Sequence, residues 1–202
     1  MRLLLASLAL LLPGAALADA YSTRGDNAYL TYSISDEEGC SWGYLDLYVT
    51  ESMSHASGAG APAGSLYGYV YYYLDSWCDE EYEYEAISGT IPEDAVFWVS
   101  PSGRSATLEA TVEFTSYGSD GEEPVTFSAD IEVAWTATSS PYHSMYISHY
   151  SGPGYHSYYR SHGTSRDAAV SGTILDFTLE DLGAWASLSS DSSGDGGYHY
   201  SE

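Results

Sequence analysis

From Ala106 to Thr115 the chain alternates without a break. Ala106, Leu108, Ala110, Val112 and Phe114 interleave with Thr107, Glu109, Thr111, Glu113 and Thr115. After the turn Tyr117-Gly-Ser-Asp-Gly121 the pattern resumes, with Val125, Phe127, Ala129, Ile131, Val133 and Trp135 against Thr126, Ser128, Asp130 and Glu132. Successive side chains of an extended strand point to opposite faces, so period two marks strands with one face in a core. A hairpin centred on Ser119-Asp120 sets Phe114 opposite Val125 and Val112 opposite Phe127, which puts both apolar sets on one face. A helix cannot bury this pattern.

The same rule runs through the chain. Ala28, Leu30, Tyr32 and Ile34 share a face, as do Leu45, Leu47 and Val49. Further strands are expected near 65–74, 82–90, 94–99, 142–150, 155–162, 166–177 and 183–189, with a turn of helix between Leu175 and Trp185. Gly, Ser, Pro and Asp punctuate them, and Ser52–Ser65 reads as a flexible loop. The fold expected is all-β: a single antiparallel β-sandwich of about ten short strands, with a barrel as the alternative. No internal repeat of fixed period is evident.

The first residues, MRLLLASLALLLPGAALADA, combine one Arg, an apolar run from Leu3 to Leu12 and the triplet Ala16-Leu17-Ala18. That is an export leader, with cleavage expected after Ala18 or, second, after Ala20. The run is too short to span a bilayer. The chain is therefore divided into a leader at 1–18, one domain at 19–190 and a polar, disordered tail at 191–202. The expected location is secreted or periplasmic, with no membrane insertion.

Arg2 leaves with the leader, so four arginines face 29 acids and the net charge becomes −25. Such a field repels nucleic acid and anionic lipid and favours cations. Without lysine there is no Schiff-base chemistry. No nucleophile elbow and no His-Glu-x-x-His helix occurs. A binding module, and not an enzyme, is the first expectation; a hydrolase that no motif marks is a third.

Two cysteines, Cys40 and Cys78, in an exported chain are expected to pair. The bridge would stabilise by roughly 3–4 kcal/mol through the loop it closes. It would also pin two similar turns together, Asp36-Glu-Glu-Gly-Cys-Ser-Trp42 and Asp75-Ser-Trp-Cys-Asp-Glu-Glu81. Asp36, Glu37, Glu38, Asp75, Asp79, Glu80 and Glu81 would then lie within about 15 Å of one another. Either they splay into water or a cation sits among them. Calcium, with its six to eight oxygen ligands, suits that setting, although no cofactor is required. A second match, Asp191-Ser-Ser-Gly-Asp-Gly-Gly197, lacks the closing Glu of a calcium loop.

Between the turns, Tyr67, Tyr69, Tyr71 and Tyr73 occupy one parity, and Gly68, Val70, Tyr72 and Leu74 the other. The second set is the better core face. The tyrosines then form an outer ladder beside Glu83 and Glu85, with Trp42 and Trp77 nearby. Tyrosine covers area while its hydroxyl stays wet, which suits stacking on a sugar ring or a protein partner; tyrosine is equally an ordinary strand residue.

Finally, SPYHSMYISHYSGPGYHSYYRSHGT reads as a hairpin about Ser151-Gly-Pro-Gly154. Centred between Gly152 and Pro153, it sets His149 opposite His156 and His143 opposite His162. Opposed imidazoles could share Zn or Cu, repel on protonation near pH 6, or serve as packing groups. Met145 and Ile147 share that face, which argues for partial burial.

Overall fold

The computed structural model describes residues 21–36, 39–56, 63–79, 81–118, 123–153 and 155–199. The leader expected at 1–18 lies outside them. Eleven strands make up nearly all of the rest: β1 (Tyr21–Ser35), β2 (Ser41–Ala56), β3 (Ala63–Asp79), β4 (Glu81–Thr90), β5 (Val96–Val99), β6 (Ser105–Gly118), β7 (Val125–Ala137), β8 (Tyr142–Gly152), β9 (Tyr155–Ile174), β10 (Phe177–Thr178) and β11 (Trp185–His199). Every pairing is antiparallel. The one helical segment among the described residues is a 3-10 turn, Leu179–Asp181, inside the stretch where the sequence hints at helix.

The hydrogen bonds run from β1 through β2, β3, β4, β6, β7, β9 and β11 back to β1. Eight strands thus close on themselves, and closure removes the sheet edge. The all-antiparallel expectation holds, and the ring realises it as a barrel whose walls pack across one core. The fully buried Trp135 on β7 donates its indole N–H to the carbonyl of Tyr29 on β1, 3.1 Å away. Tyr72 of β3 packs on Phe177 of β10 with ring centroids 5.5 Å apart. The alternation explains the filling: Leu30, Leu45, Leu47, Leu108, Val112, Phe114 and Val133 all point inward and are buried.

The strands are longer than expected. β9 is one strand of 20 residues where the sequence suggested two. Its C-terminal part pairs with β7 (Val133↔Gly172, Trp135↔Val170), and its N-terminal part pairs with β8 on the same side. Past the end of β7, therefore, one wall continues alone in the order β8-β9-β11-β1-β2-β3. The eleven residues of β8 carry it about 35 Å at the usual rise of an extended chain. Both faces of this extension are largely exposed at β8. On its inner face Asp26 is buried, accepts the Ser190 hydroxyl and pairs with Arg24 at 3.1 Å.

Three expectations are corrected here. The tail reading fails between 191 and 199, because β11 pairs residues 191–195 with β1 and 191–199 with β9; alternate small polar residues suffice where both neighbours supply hydrogen bonds. That also removes the calcium-loop reading of 191–197. The loop reading of 52–65 fails at both ends, since β2 and β3 pair from Ser54↔Ala63 and the hydroxyls of Ser52 and Ser65 meet at 2.8 Å; residues 57–62 lie outside the described residues. In the β6–β7 hairpin, Phe114 faces Phe127 and Val112 faces Ala129. Residues 119–122, where the expected hairpin centre falls, lie outside the described residues. A slip of two leaves the faces unchanged.

Candidate ligand-binding face

The tyrosine ladder lies on the outer face of β3, as its parity requires. Tyr67 and Tyr69 are exposed, Tyr71 and Tyr73 half-buried, while Val70 and Tyr72 are in the core. Register on β2 brings further rings alongside. Tyr48 sits opposite Tyr69 and Tyr44 opposite Tyr73, with centroids 5.9 and 5.6 Å apart. Trp42 lies 5.7 Å from Tyr44 and 5.6 Å from Tyr73, and Tyr84 of β4 lies 5.6 Å from Tyr73. Trp77 is exposed and joins none of these ring pairs. The tract thus spans three strands. Tyr44 and Tyr48 stood on the outer parity of their strand throughout; only the register told which rings they meet.

Carboxylates organise the hydroxyls. Asp75 accepts from Tyr73 and, at 2.6 Å, from Tyr82. Asp46 accepts from Tyr29 at 3.3 Å, and Tyr48 donates to Asn27 at 3.2 Å. Donation to Asp75 pushes Tyr73 up to about 12, because the bonded proton is harder to remove. The same bonds hold Asp75 below the usual carboxylate value. Tyr69 and Tyr71 are raised chiefly by desolvation. Tyr69, Tyr71 and Tyr73, all raised above the ordinary phenol value, therefore stay protonated donors at neutral pH.

Alkaline titration followed by tyrosinate absorbance is expected to show Tyr73 among the last phenols to ionise. Asp75→Asn should bring it back toward its ordinary 10.0. Because its folded value is raised, the Tyr73 contact contributes fully below pH 10 and is lost as pH climbs toward about 12. The depressed Asp75 gives the mirror case: its contribution is present above 3.8 and is lost as pH falls through its folded value. An Asp75→Asn difference spectrum identical to that of the parent would refute this coupling.

Next to the ladder the surface dips into a depression of about 550 Å³, lined by Tyr69, Tyr71, Ser88, Thr90, Glu113 and Thr115. Rings form one side; hydroxyls and one carboxylate form the other. The acids expected beside the ladder, Glu83 and Glu85, are not there. Glu85 sits opposite Leu74 on the inward parity. The cause is a one-residue register shift between Ser76 and Asp79, since a slip of one exchanges the faces.

Of the seven acids in the two turns, Asp36 and Asp75 are described with their partners. Asp36 caps its own turn, accepting the backbone N–H of Cys40 at 2.9 Å and of Ser41 at 3.2 Å. Asp75 is engaged by two phenols. Glu37, Glu38 and Glu80 lie outside the described residues, as do the side chains of Asp79 and Glu81. Among the described residues no group of three His, Cys, Asp or Glu could hold a metal ion. The backbone carbonyl of Cys40 accepts from Trp77 N–H at 2.9 Å, so Cys40 and Cys78 sit one position apart across adjoining strands. The side chain of Cys78 is outside the described residues.

The histidine pairs are corrected by two positions. His149 faces Tyr158, His143 faces Thr164, His162 faces Met145 and His156 faces Ser151. Proline is favoured at the first central position of a turn and disfavoured at the second. Gly152 pairs with Tyr155, which makes Pro153 the first residue after β8 and moves the pairing two positions from the expected register. The hydrogen bonds follow the new register: Thr164 to His143 at 3.3 Å and Ser151 to His156 at 3.1 Å. Met145 and Ile147 are exposed, because the extension has no opposing wall to bury that face.

No protein-family model matches the chain, and no curated protein matches it either. Among solved structures, an acetoacetate decarboxylase-like enzyme from Sphingomonas wittichii RW1 aligns over 91% of this chain and 92% of that one. The identity is 10% and the TM-score 0.25, a level that carries neither fold nor activity across.

Proposed function

We propose that this chain is an exported binding module that takes carbohydrate against the aromatic tract of its outer wall. One observation supports the reading above others: Tyr69 and Tyr71 border a depression whose far side offers Ser88, Thr90, Thr115 and Glu113. A sugar ring has apolar C–H faces that stack on aromatic rings and an equatorial belt of hydroxyls. The face pairs those two needs within one site. The phenols stay protonated at neutral pH and donate, while Glu113 accepts.

The Cys40–Cys78 bridge belongs to the same proposal. It would hold the lower ends of β2 and β3 together, beneath the rings that those two strands contribute.

Glycan-array screening followed by calorimetry on the hits tests the reading. Tyr69→Ala combined with Tyr71→Ala is expected to weaken binding by a factor of roughly five to 150, at about 1–3 kcal/mol for two stacking rings. Both rings lie on the outer face of β3, outside the core, so the fold should persist. Binding that survives the double substitution would remove the tract as the site; turnover of a glycan by the parent would replace the module with a hydrolase.

A further inference from the structure

β8 is the exposed margin of the wall extension. It pairs with β9 along all eleven residues, and no other described strand lies along its far side. The other strands that lie wholly at a margin are short, four residues in β5 and two in β10, and β3, at the opposite margin of the extension, lacks a β4 partner only before Tyr69. Proteins usually blunt a long edge with charge, an internal proline or a bulge. β8 has none of these: its register is unbroken and it carries no Asp, Glu, Lys or Arg. Tyr142, Met145, Tyr146, Ile147 and Tyr150 are all exposed along it.

Its sequence is self-complementary. Residues 142–150 read YHSMYISHY, a palindrome about Tyr146 in which only Met145 and Ile147 differ, and they are of like size. Two such strands laid antiparallel about a two-fold axis through Tyr146 match Tyr142 with Tyr150, His143 with His149, Ser144 with Ser148 and Met145 with Ile147. In this arrangement odd residues meet odd and even meet even. Side chains on one face thus meet side chains on that same face. The backbone groups that point away from β9 likewise meet their counterparts, whichever parity they belong to.

Charge favours a copy over another acidic strand. From Val133 to Arg166 there is no acid at all, the longest such stretch in a chain with 29 of them. This margin is where two copies can approach without the repulsion that the rest of the surface imposes. A two-fold contact is also closed, so it leaves no further edge to propagate.

We propose that β8 pairs with β8 of a second copy, antiparallel and centred on Tyr146, joining the two wall extensions into one continuous sheet. Sedimentation of the mature chain should show a dimer that dissociates on dilution. Met145→Lys with Ile147→Lys should return it to monomer with an unchanged circular dichroism spectrum, since both side chains are exposed. Register is tested by oxidation: Tyr146→Cys places the two new thiols directly opposite, about 5 Å apart at Cβ, and should give a covalent dimer. His143→Cys alone puts them six residues apart and should not, whereas a mixture of His143→Cys and His149→Cys chains should cross-link. A monomer at every concentration, open-ended polymers, or cross-linking equally efficient at residues 143 and 146 would each overturn the proposal.

Discussion

Trp135→Ala is expected to lower the unfolding free energy by about 3–5 kcal/mol, in line with other removals of a large buried aromatic side chain. The indole is wholly buried, and its N–H reaches the Tyr29 carbonyl on a strand that β7 does not adjoin in the ring. The substitution therefore empties the largest core site and cuts a tie across the barrel. For a chain of this size the loss should move the thermal midpoint by roughly 6–20 °C. Urea unfolding followed by far-ultraviolet dichroism measures it. A midpoint within a degree of the parent would mean that the barrel is not held across its core in this way. The remaining tryptophans, Trp42, Trp77, Trp98 and Trp185, are each about half exposed, so their replacement should cost far less.

The second large effect is expected at Gly172, on the seam that closes the ring. Its φ of +110° lies where side chains are rarely tolerated, and it sits opposite Val133 of β7. A Cβ there would come within 2.0 Å of the Glu132 carbonyl oxygen. Backbone cannot step aside as a flexible side chain can. Gly172→Ala thus adds the strain of a forbidden backbone, about 1–3 kcal/mol, to displacement of the β7–β9 pairing. The measurable outcome is lowered stability together with faster amide exchange along 132–137 and 168–173. Exchange protection unaltered in those two segments would show that the seam does not depend on this glycine.

Much of the candidate face was legible from residues alone. Period two placed the tyrosines of β3 outside and Val70 and Tyr72 inside, and the structure has them so. What escaped was pairing. The ladder's neighbours on β4 changed identity because a one-residue shift near Ser76 swapped the parity of Glu83 and Glu85. The histidine pairs dissolved because β8 and β9 pair from Gly152↔Tyr155, a register two positions away from the expected one. The palindrome of β8 was present in the letters throughout. It acquired meaning only when β8 proved to be a margin and not an inner strand.

The sequence by itself determined the strand faces, the acidic surface and the inward set that fills the core. These follow from chain geometry and composition, which act within a few residues. The tertiary structure alone decided that β7 and β9 close the ring, that one wall outruns the other, and that Asp46 and Asp75 gather the phenols. Those outcomes rest on hydrogen-bond ladders between residues far apart in the chain, where a shift of one or two positions costs little locally and changes every neighbour.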